Sequence, residues 1–424
     1  MTRPKIPFSK RFSAAALLGA GLRGQQHWPR MWRTPSLKKA YQVILIGGGG
    51  HGLATAYHLA RDHGIRDIAV IEKGWIGGGN TGRNTTVVRS NYYYPGSARF
   101  YQRSVELFGK LSDELNYNVM FSQRGILTLA FSPYEYHQMA RHVNAMQLNG
   151  IDARLLSVAE VRERLPLCDL SPGARFACVG GYEHPPGGTA RHDAVAWGYA
   201  RAADAFGVDI IQRCEVLGLT LREGRCIGVE TGNGTISAER IGIAVAGSST
   251  LVAGMAGVHL PVRSQTLQAF VSEPLKPVLD TCVMSGTHHT YVSQSDKGEL
   301  VIGGDSDSYT SYAQRGSFHA IERTTVGLLE IFPTLSRVRL MRQWGGTVDI
   351  TPDRSPIIDR TPVPGLYIST GWGTGGFKAI PSGGKSFAHL LARDVSDEYA
   401  ADFTLGRFAA GTLIDEGAAS GVAH

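Results

Sequence analysis

The chain has 424 residues, 43% of them hydrophobic, with 43 Lys and Arg against 36 Asp and Glu; this length exceeds one compact core and predicts two domains, or one domain with insertions. The net charge of +7 does not signal nucleic-acid binding, because residues 1–40 hold nine basic residues and no acidic one, while the rest of the chain is close to neutral. No apolar stretch reaches the length of a membrane span, and five cysteines (168, 178, 214, 226 and 282) form no C-x-x-C pair and no metal-ligand spacing with histidine, which predicts a reduced, cytoplasmic protein without a metal site.

Taken in chain order, the basic arm contains an apolar run, Phe12 to Leu22, behind Lys10 and Arg11 that resembles a secretory signal. A strand follows soon after without a small-residue cleavage site, so the arm is read as a surface or subunit-docking segment. The first ordered unit is the strand Tyr41 to Ile46, the loop GGGGHG, the helical stretch LATAYHLARDHG, and the apolar strand Ile68 to Ile71 closed by Glu72. Gly47, Gly49 and Gly52 thus form G-x-G-x-x-G between a strand and a helix, with an acidic residue ending the next strand, which is the context that makes this motif specific for a dinucleotide. The glycines allow close backbone approach, the helix start offers N–H groups to a pyrophosphate, and Glu72 is placed to accept the hydroxyls of an adenosine ribose.

Residues 72–94 are rich in Gly, Asn and Thr and predict a loop held against a ligand. Helix is predicted over 97–117, strand over 123–131, and two amphipathic helices over 135–165. In "GGTARHDAVAWGYARAADAFGVDI", Asp193 is expected to cap a helix whose stripe is Val195, Tyr199, Ala202 and Phe206 and which Gly207 ends; His192 then stands just outside it. From Val208 a β-meander with an Asn233-Gly234 turn runs to the apolar strand Ile241 to Ala246, and residues 267–305 add strands for a separate antiparallel sheet. The last strand, Gly365 to Thr370, enters GWGTGGFKAIPSGG and a final helix, a second helix start suited to an anion.

The glycine loop, Glu72, "GRNTTVVRSNY", "FSQRGIL" and "GWGTGGFK" together resemble the amino-acid-oxidising flavoproteins of the glycine oxidase and sarcosine oxidase group, and within it most closely the β subunits of heterotetrameric sarcosine oxidases. The resemblance runs from about residue 35 to the C-terminus. It implies an α/β fold: a Rossmann-like FAD-binding domain of the glutathione-reductase type (residues 41–115, 171–263 and 340–395) with an inserted antiparallel-sheet substrate domain (116–170 and 264–339), between the arm 1–40 and a tail 396–424. It further implies non-covalent FAD, an FMN attached covalently at His192, and α, γ and δ partner subunits, with tetrahydrofolate and NAD on the α subunit. FAD would take electrons from a secondary amine and pass them through FMN to oxygen, giving hydrogen peroxide, glycine and formaldehyde or methylene-tetrahydrofolate.

On this basis Arg89 is the expected two-pronged clamp for a substrate carboxylate and Lys378 adds positive charge there or at the flavin edge. Arg83, Asn84 and Thr85 are expected at the pyrophosphate and flavin, Gly373 and Gly376 at the isoalloxazine ring, and Val216 at the adenine. His51, Lys73 and Asn80 complete the expected cofactor set. His288, His289 and Tyr291 are candidates for the substrate pocket, although strand alternation sends neighbours to opposite faces. Two alternatives stay open: an N-methylglutamate dehydrogenase-type subunit with another electron acceptor, favoured by Gln265 in "RSQTLQAF", and a non-catalytic assembly subunit.

Overall fold

A computed structural model describes residues 14–26 and 30–414. Two eight-stranded sheets and a two-stranded one organise the described chain. The first sheet runs Ile357–Arg360, Leu366–Thr370, Gly234–Ile243, Ala40–Ile46, Ile68–Ile71 and Asp209–Ile211 in spatial order, with the hairpin strands Val216–Arg222 and Arg225–Thr231 attached to Gly234–Ile243. Strand Ala40–Ile46 is parallel to both neighbours and is covered on both faces, which is why its sequence reads as a nearly continuous apolar run. Val43 and Leu45 enter one buried cluster with Ile68 and Val70, whereas Ile44 and Ile46 enter the other with Ala69 and Ile71.

Helix Gly50–Asp62 lies in the first cluster beside Ile380–Arg393 and His192–Ala205. The first two helices pack closely because Gly384 faces Ala54; a Cβ at Gly384 would sit 2.4 Å from that of Ala54. The second sheet runs Leu340–Ile350, Arg263–Pro274, Glu299–Ser306, Thr290–Gln294, Cys282–Ser285, Ile126–Ala130, Gly180–His184 and Arg154–Leu156. One face buries Phe270, Val283, Val292 and Ile302 against Leu328 and Ile331 of helix Phe318–Ile331; the other is turned to the first sheet's glycine loops.

The boundaries expected at 171 and 340 do not coincide with the sheets. Strand Gly180–His184 pairs with Ile126–Ala130 and Arg154–Leu156, and Leu340–Ile350 pairs with Arg263–Pro274 from Arg263↔Ile350 to Ser272↔Leu340. Both belong to the second sheet. Their sequences conceal this: GGYEH is too short to show alternation, and LMRQWGGTVDI breaks its alternation with two adjacent glycines. The expected tail also docks as far as residue 414, since Phe403 is fully buried and Arg407 forms a buried pair with Asp353 at 2.7 Å. The expected arm is anchored in part, with Arg33 bonded to Asp204 at 2.9 Å and Lys38 to Asp67 at 2.9 Å. Lys10, Arg11 and Phe12 and the last ten residues lie outside the described part.

Candidate active site

A cavity of about 140 Å³ lies between the two sheets. Arg89, Lys378, His51 and Tyr291 line it, as do Asn80, Arg83, Asn84, Thr85, Gly373 and Gly376. Most residues expected at a flavin ring and substrate are therefore brought together.

Arg89 enters from the end of Val87–Val88, which is fixed by antiparallel pairing with Gly188–Thr189. Its side chain is buried, donates from Nη1 to Asn91 Oδ1 at 2.6 Å, and lies 5.2 Å from the centre of the Tyr92 ring. Asn91 in turn donates to the Tyr182 hydroxyl at 2.7 Å, so the guanidinium is held by a chain of side chains rather than by solvent. Lys378 is 4% exposed, and its Nζ donates to the Thr374 carbonyl at 2.8 Å. Burial, reinforced by the nearby Arg89 charge, pushes its ammonium well below the usual lysine range. The charge expected there is thus one that its surroundings disfavour until an anion balances it.

Tyr291 reaches across from the second sheet, its hydroxyl 2.8 Å from Thr85 Oγ1, and burial pushes it up to about 12. Thr86, beside it in the lining, holds φ at +67°, a conformation that a β-branched residue adopts only when its surroundings impose it. Here Thr86 N–H is tied to Asn84 Oδ1 at 2.6 Å, and Asn84 donates to the Thr81 carbonyl. Arg83 turns inward on its own loop, donating to the carbonyls of Gly78 and Gly79.

His51, in the first turn of Gly50–Asp62, lines the cavity with its Nε2 donating to the Gly376 carbonyl at 2.8 Å and its ring stacked on Trp372 at 4.2 Å. Burial pushes it down to about 4, so the ring is neutral. Behind Arg89, His184 accepts the Ser90 N–H and donates to the Asp152 carbonyl at 2.9 Å; burial also pushes it down to about 4.

The other expected cofactor residues lie beyond the cavity, around the first glycine loop. Gly47 holds φ at +111°, and a Cβ there would lie 2.3 Å from the Ala244 carbonyl oxygen. At Gly52 a Cβ would lie 2.0 Å from the Gly47 oxygen, so both positions exclude side chains outright. Glu72 accepts the N–H of Gly48 at 2.8 Å and of Gly74 at 2.7 Å. Val216 begins two residues after Cys214, whose N–H binds the Glu72 carbonyl, and Lys73 is exposed next to Glu72.

Residues 42–390 match the family of FAD dependent oxidoreductases. The chain is 51% identical to sarcosine oxidase subunit beta of Rhodobacter capsulatus, over 98% of this chain and 100% of the relative, and 54% identical to that of Rhizobium meliloti, over 96% and 97%. The chain belongs to the sarcosine oxidase β-subunit family of FAD dependent oxidoreductases. Its fold matches an L-proline dehydrogenase from P. horikoshii (TM-score 0.83, 26% identity, 89% of this chain and 100% of the other) and a glycine oxidase from Geobacillus kaustophilus (0.79, 22%, 87% and 99%). It is a flavin-dependent oxidoreductase acting on CH–NH donors, with an FAD-binding α/β fold.

The residues present fit that cofactor. The first loop is bare of side chains where a pyrophosphate needs backbone, and Trp372 Nε1, in the cavity lining, is buried without a partner among the described residues. Trp372, Thr81, Gln268, Met284 and Asp349 are lining residues that the sequence reading did not single out. Thr81 Oγ1 accepts the Gly50 N–H at 3.0 Å, joining the two loops. Trp372 and Thr81 carried a local signal, one inside GWGTGG and the other inside the loop 72–94.

Two expectations are corrected. His288 is turned away from the cavity, with Nδ1 2.8 Å from Ser285 Oγ and its ring against Phe131, while His289 and Gln265 line a second groove at the end of the sheet. His192 is the first residue of its helix, with Arg191 at the cap; Asp193 sits one position further, paired with Arg191 at 2.8 Å. The early start follows from that ion pair, which folds Asp193 back on the turn, where it takes the Ala194 N–H. His192 is outside the cavity lining, but Ala190, two residues before it, donates to the carbonyl of the lining residue Thr86 at 3.1 Å. Its side chain is 26% exposed, yet Nδ1 is buried without a partner among the described residues. Burial, with Arg191 adding and Asp193 opposing, pushes the imidazole below its usual range.

Among the described residues no helix is long and apolar enough to cross a membrane, and no group of three His, Cys, Asp or Glu is placed to hold a metal ion.

Proposed function

We propose that this chain is the catalytic β subunit of a heterotetrameric sarcosine oxidase and oxidatively demethylates sarcosine. The observation that carries this reading is the convergence of two buried basic side chains, Arg89 and Lys378, on one cavity beside a dinucleotide loop. Two such groups suit a single carboxylate, and Arg89 supplies the fork geometry that fixes its orientation. The bound amino acid must give up its ammonium proton before its C–N bond can be oxidised. Lys378 is equipped for this: held below its usual range in the free site, its Nζ takes that proton as the carboxylate arrives and makes a charged lysine affordable.

FAD, held by the residues assigned to it, would supply the acceptor for two electrons from the amine, and an FMN held at His192 would supply the route to oxygen, with hydrogen peroxide, glycine and formaldehyde or methylene-tetrahydrofolate as products. A neutral imidazole is the form that attacks carbon, and His192 is held in that form. We assign Gly47, Gly49, Gly52, Glu72, Lys73 and Val216 to the adenosine and pyrophosphate end of FAD, and His51, Asn80, Arg83, Asn84, Thr85, Gly373 and Gly376 to its ring end. The partners are α, γ and δ subunits, with tetrahydrofolate and NAD on α, in the cytoplasm, where the five unpaired cysteines would stay reduced.

Anaerobic mixing of the assembled complex with sarcosine tests the reading. Sarcosine is expected to bleach the flavin absorbance; a complex bleached by N-methylglutamate and not by sarcosine would overturn the substrate assignment, and one bleached by neither would overturn the catalytic role.

A further inference from the structure

The segment Gly371–Gly376 joins strand Leu366–Thr370 to the turn that carries Lys378, and four of its residues line the cavity. It holds no side chain long enough to anchor itself except Trp372. Its two ends are instead gripped by a buried and a half-buried ionisable residue from different parts of the fold. At the start, Asp349, on the last turn of strand Leu340–Ile350 and fully buried, accepts the Gly371 N–H at 2.6 Å and the Thr370 hydroxyl at 2.9 Å, both on Oδ2. At the far end, His51 donates to the Gly376 carbonyl at 2.8 Å and stacks on Trp372 at an interplanar angle of 24°. Asp349 comes from the second sheet and His51 from the dinucleotide helix, so the segment is strung between the two layers that enclose the cavity.

We propose that Asp349 and His51 are positioning residues that clamp the two ends of Gly371–Gly376 and thereby set where Lys378 and the segment's backbone stand in the active site. The identity of the clamping groups supports this. Burial pushes the Asp349 carboxyl up to about 6, so an ionised aspartate is a costly way to bind two donors that an asparagine oxygen would also satisfy. What the carboxylate adds is a shorter, stiffer, charge-assisted bond at Gly371. The His51 ring likewise loses its charged form to desolvation, and its one observed side-chain hydrogen bond goes to Gly376. Lys378 lies two residues past Gly376 and its Nζ returns to Thr374 within the segment, so movement at either end carries the ammonium with it. Displacements of about 1 Å at a reacting centre cost on the order of a hundredfold in rate.

The clamp rests on the reading of Lys378 as a carboxylate partner, and its test separates the two. In the assembled complex, Asp349→Ala, Asp349→Asn, His51→Ala and His51→Gln are compared with wild type in FAD content, position of the flavin visible band, acetate affinity measured through that band, and KM and kcat for sarcosine. Each alanine variant is expected to shift the band, to weaken acetate about tenfold or more, and to raise KM more than it lowers kcat. Asp349→Asn and His51→Gln should recover all but about threefold of the loss, because they keep a neutral hydrogen bond. The double alanine variant should be no worse than the worse single one, since a strand released at one end gains little from release at the other. An unshifted band and acetate affinity within twofold of wild type in both alanine variants would overturn the clamp. If alanine costs FAD binding, Asp349→Asn decides, and affinity equal to wild type overturns it. Acetate that fails to perturb even wild type would sink the carboxylate reading of Lys378, with the band shift still judging the clamp.

Discussion

The Arg89–Lys378 cavity and the Arg191–Asp193 corner both place charge beside a reactive position, but they do so under different dielectric conditions. In the cavity, Arg89 and Lys378 are almost fully buried, Arg89 donating to Asn91 and Lys378 to the Thr374 carbonyl, and burial together with the Arg89 charge disfavours the charged form of the lysine. At the corner, Arg191 and Asp193 pair at 2.8 Å with 35% and 28% of their side chains exposed, and a solvated pair of this kind stabilises little. The first arrangement stores strain that a substrate relieves. The second only shapes a helix start, and the neighbouring imidazole is held neutral by burial rather than by the pair.

That contrast is tested most severely by Lys378→Met. Removing Nζ should lower kcat/KM for sarcosine by about a hundredfold or more, since it deletes both a carboxylate partner and the proton acceptor. Stability should move the opposite way. A lysine whose folded value lies below its unfolded one opposes folding at every pH below the ordinary lysine range, because the unfolded chain binds the proton and the folded chain resists it. Methionine has no such cost, so thermal unfolding at neutral pH should rise by a few degrees. Unchanged kcat/KM would remove Lys378 from the site, and a lowered melting temperature would mean that the buried amine is not under the strain assigned to it. Asp193→Asn, the matching change at the corner, should alter stability by less than about 1 kcal/mol.

A second effect separates the regions by pH. His51, His142 and His184, which lie in or behind the cavity, are each pushed by burial to about 4. Above the ordinary histidine value of about 6.5 they contribute nothing to pH dependence. As pH falls from there towards 4, the unfolded chain takes up protons that the folded chain refuses, and stability is lost, by on the order of 3 kcal/mol for each such histidine at the limit. His142 stacks on Tyr93 at 4.1 Å, so His142→Phe keeps the ring contact and removes the titration. Its stability relative to wild type should therefore improve by up to that amount between pH 7 and pH 4, read by denaturant unfolding at the two pH values. Parallel curves would show that His142 titrates normally.

The same two regions explain what was legible in the sequence. Gly47, Gly52 and Glu72 were readable because their constraint is local: a positive φ, a backbone contact across five residues, and an acidic strand end. Arg89 and Lys378 were readable through the stretches that carry them. Gln268, Met284 and Asp349 reach the cavity only through strand pairings such as Gln268↔Gly345, which no short-range pattern encodes. His288 and Tyr291 show the limit from within one segment: Tyr291 faces the cavity, His288 packs on Phe131 on the other side, and His289 falls off the strand with φ at +46°. The cap of helix His192–Ala205 falls two positions earlier than expected, at Arg191, because Asp193 is a good cap in general, whereas here Arg191 engages it first.

The smallest structural effect is expected at His192, and it is the most discriminating for the second flavin. The His192 side chain makes no hydrogen bond in the observed network; Asp193 Oδ1 lies 3.9 Å from its Nδ1, and the helix start is secured by Arg191, Asp193 and Ala194 without it. Truncating it should therefore cost under about 1 kcal/mol, as for a partly exposed residue without a specific partner. Because Nδ1 is buried, the accessible surface of the ring belongs to its other atoms, and a tether formed from solvent would attach through Nε2. His192→Ala should then leave FAD content and the melting temperature near wild type while the acid-precipitated chain loses its bound flavin fluorescence. A variant that kept that fluorescence would place the link on another side chain, and one that lost FAD as well would show that the corner and the cavity are a single site rather than two.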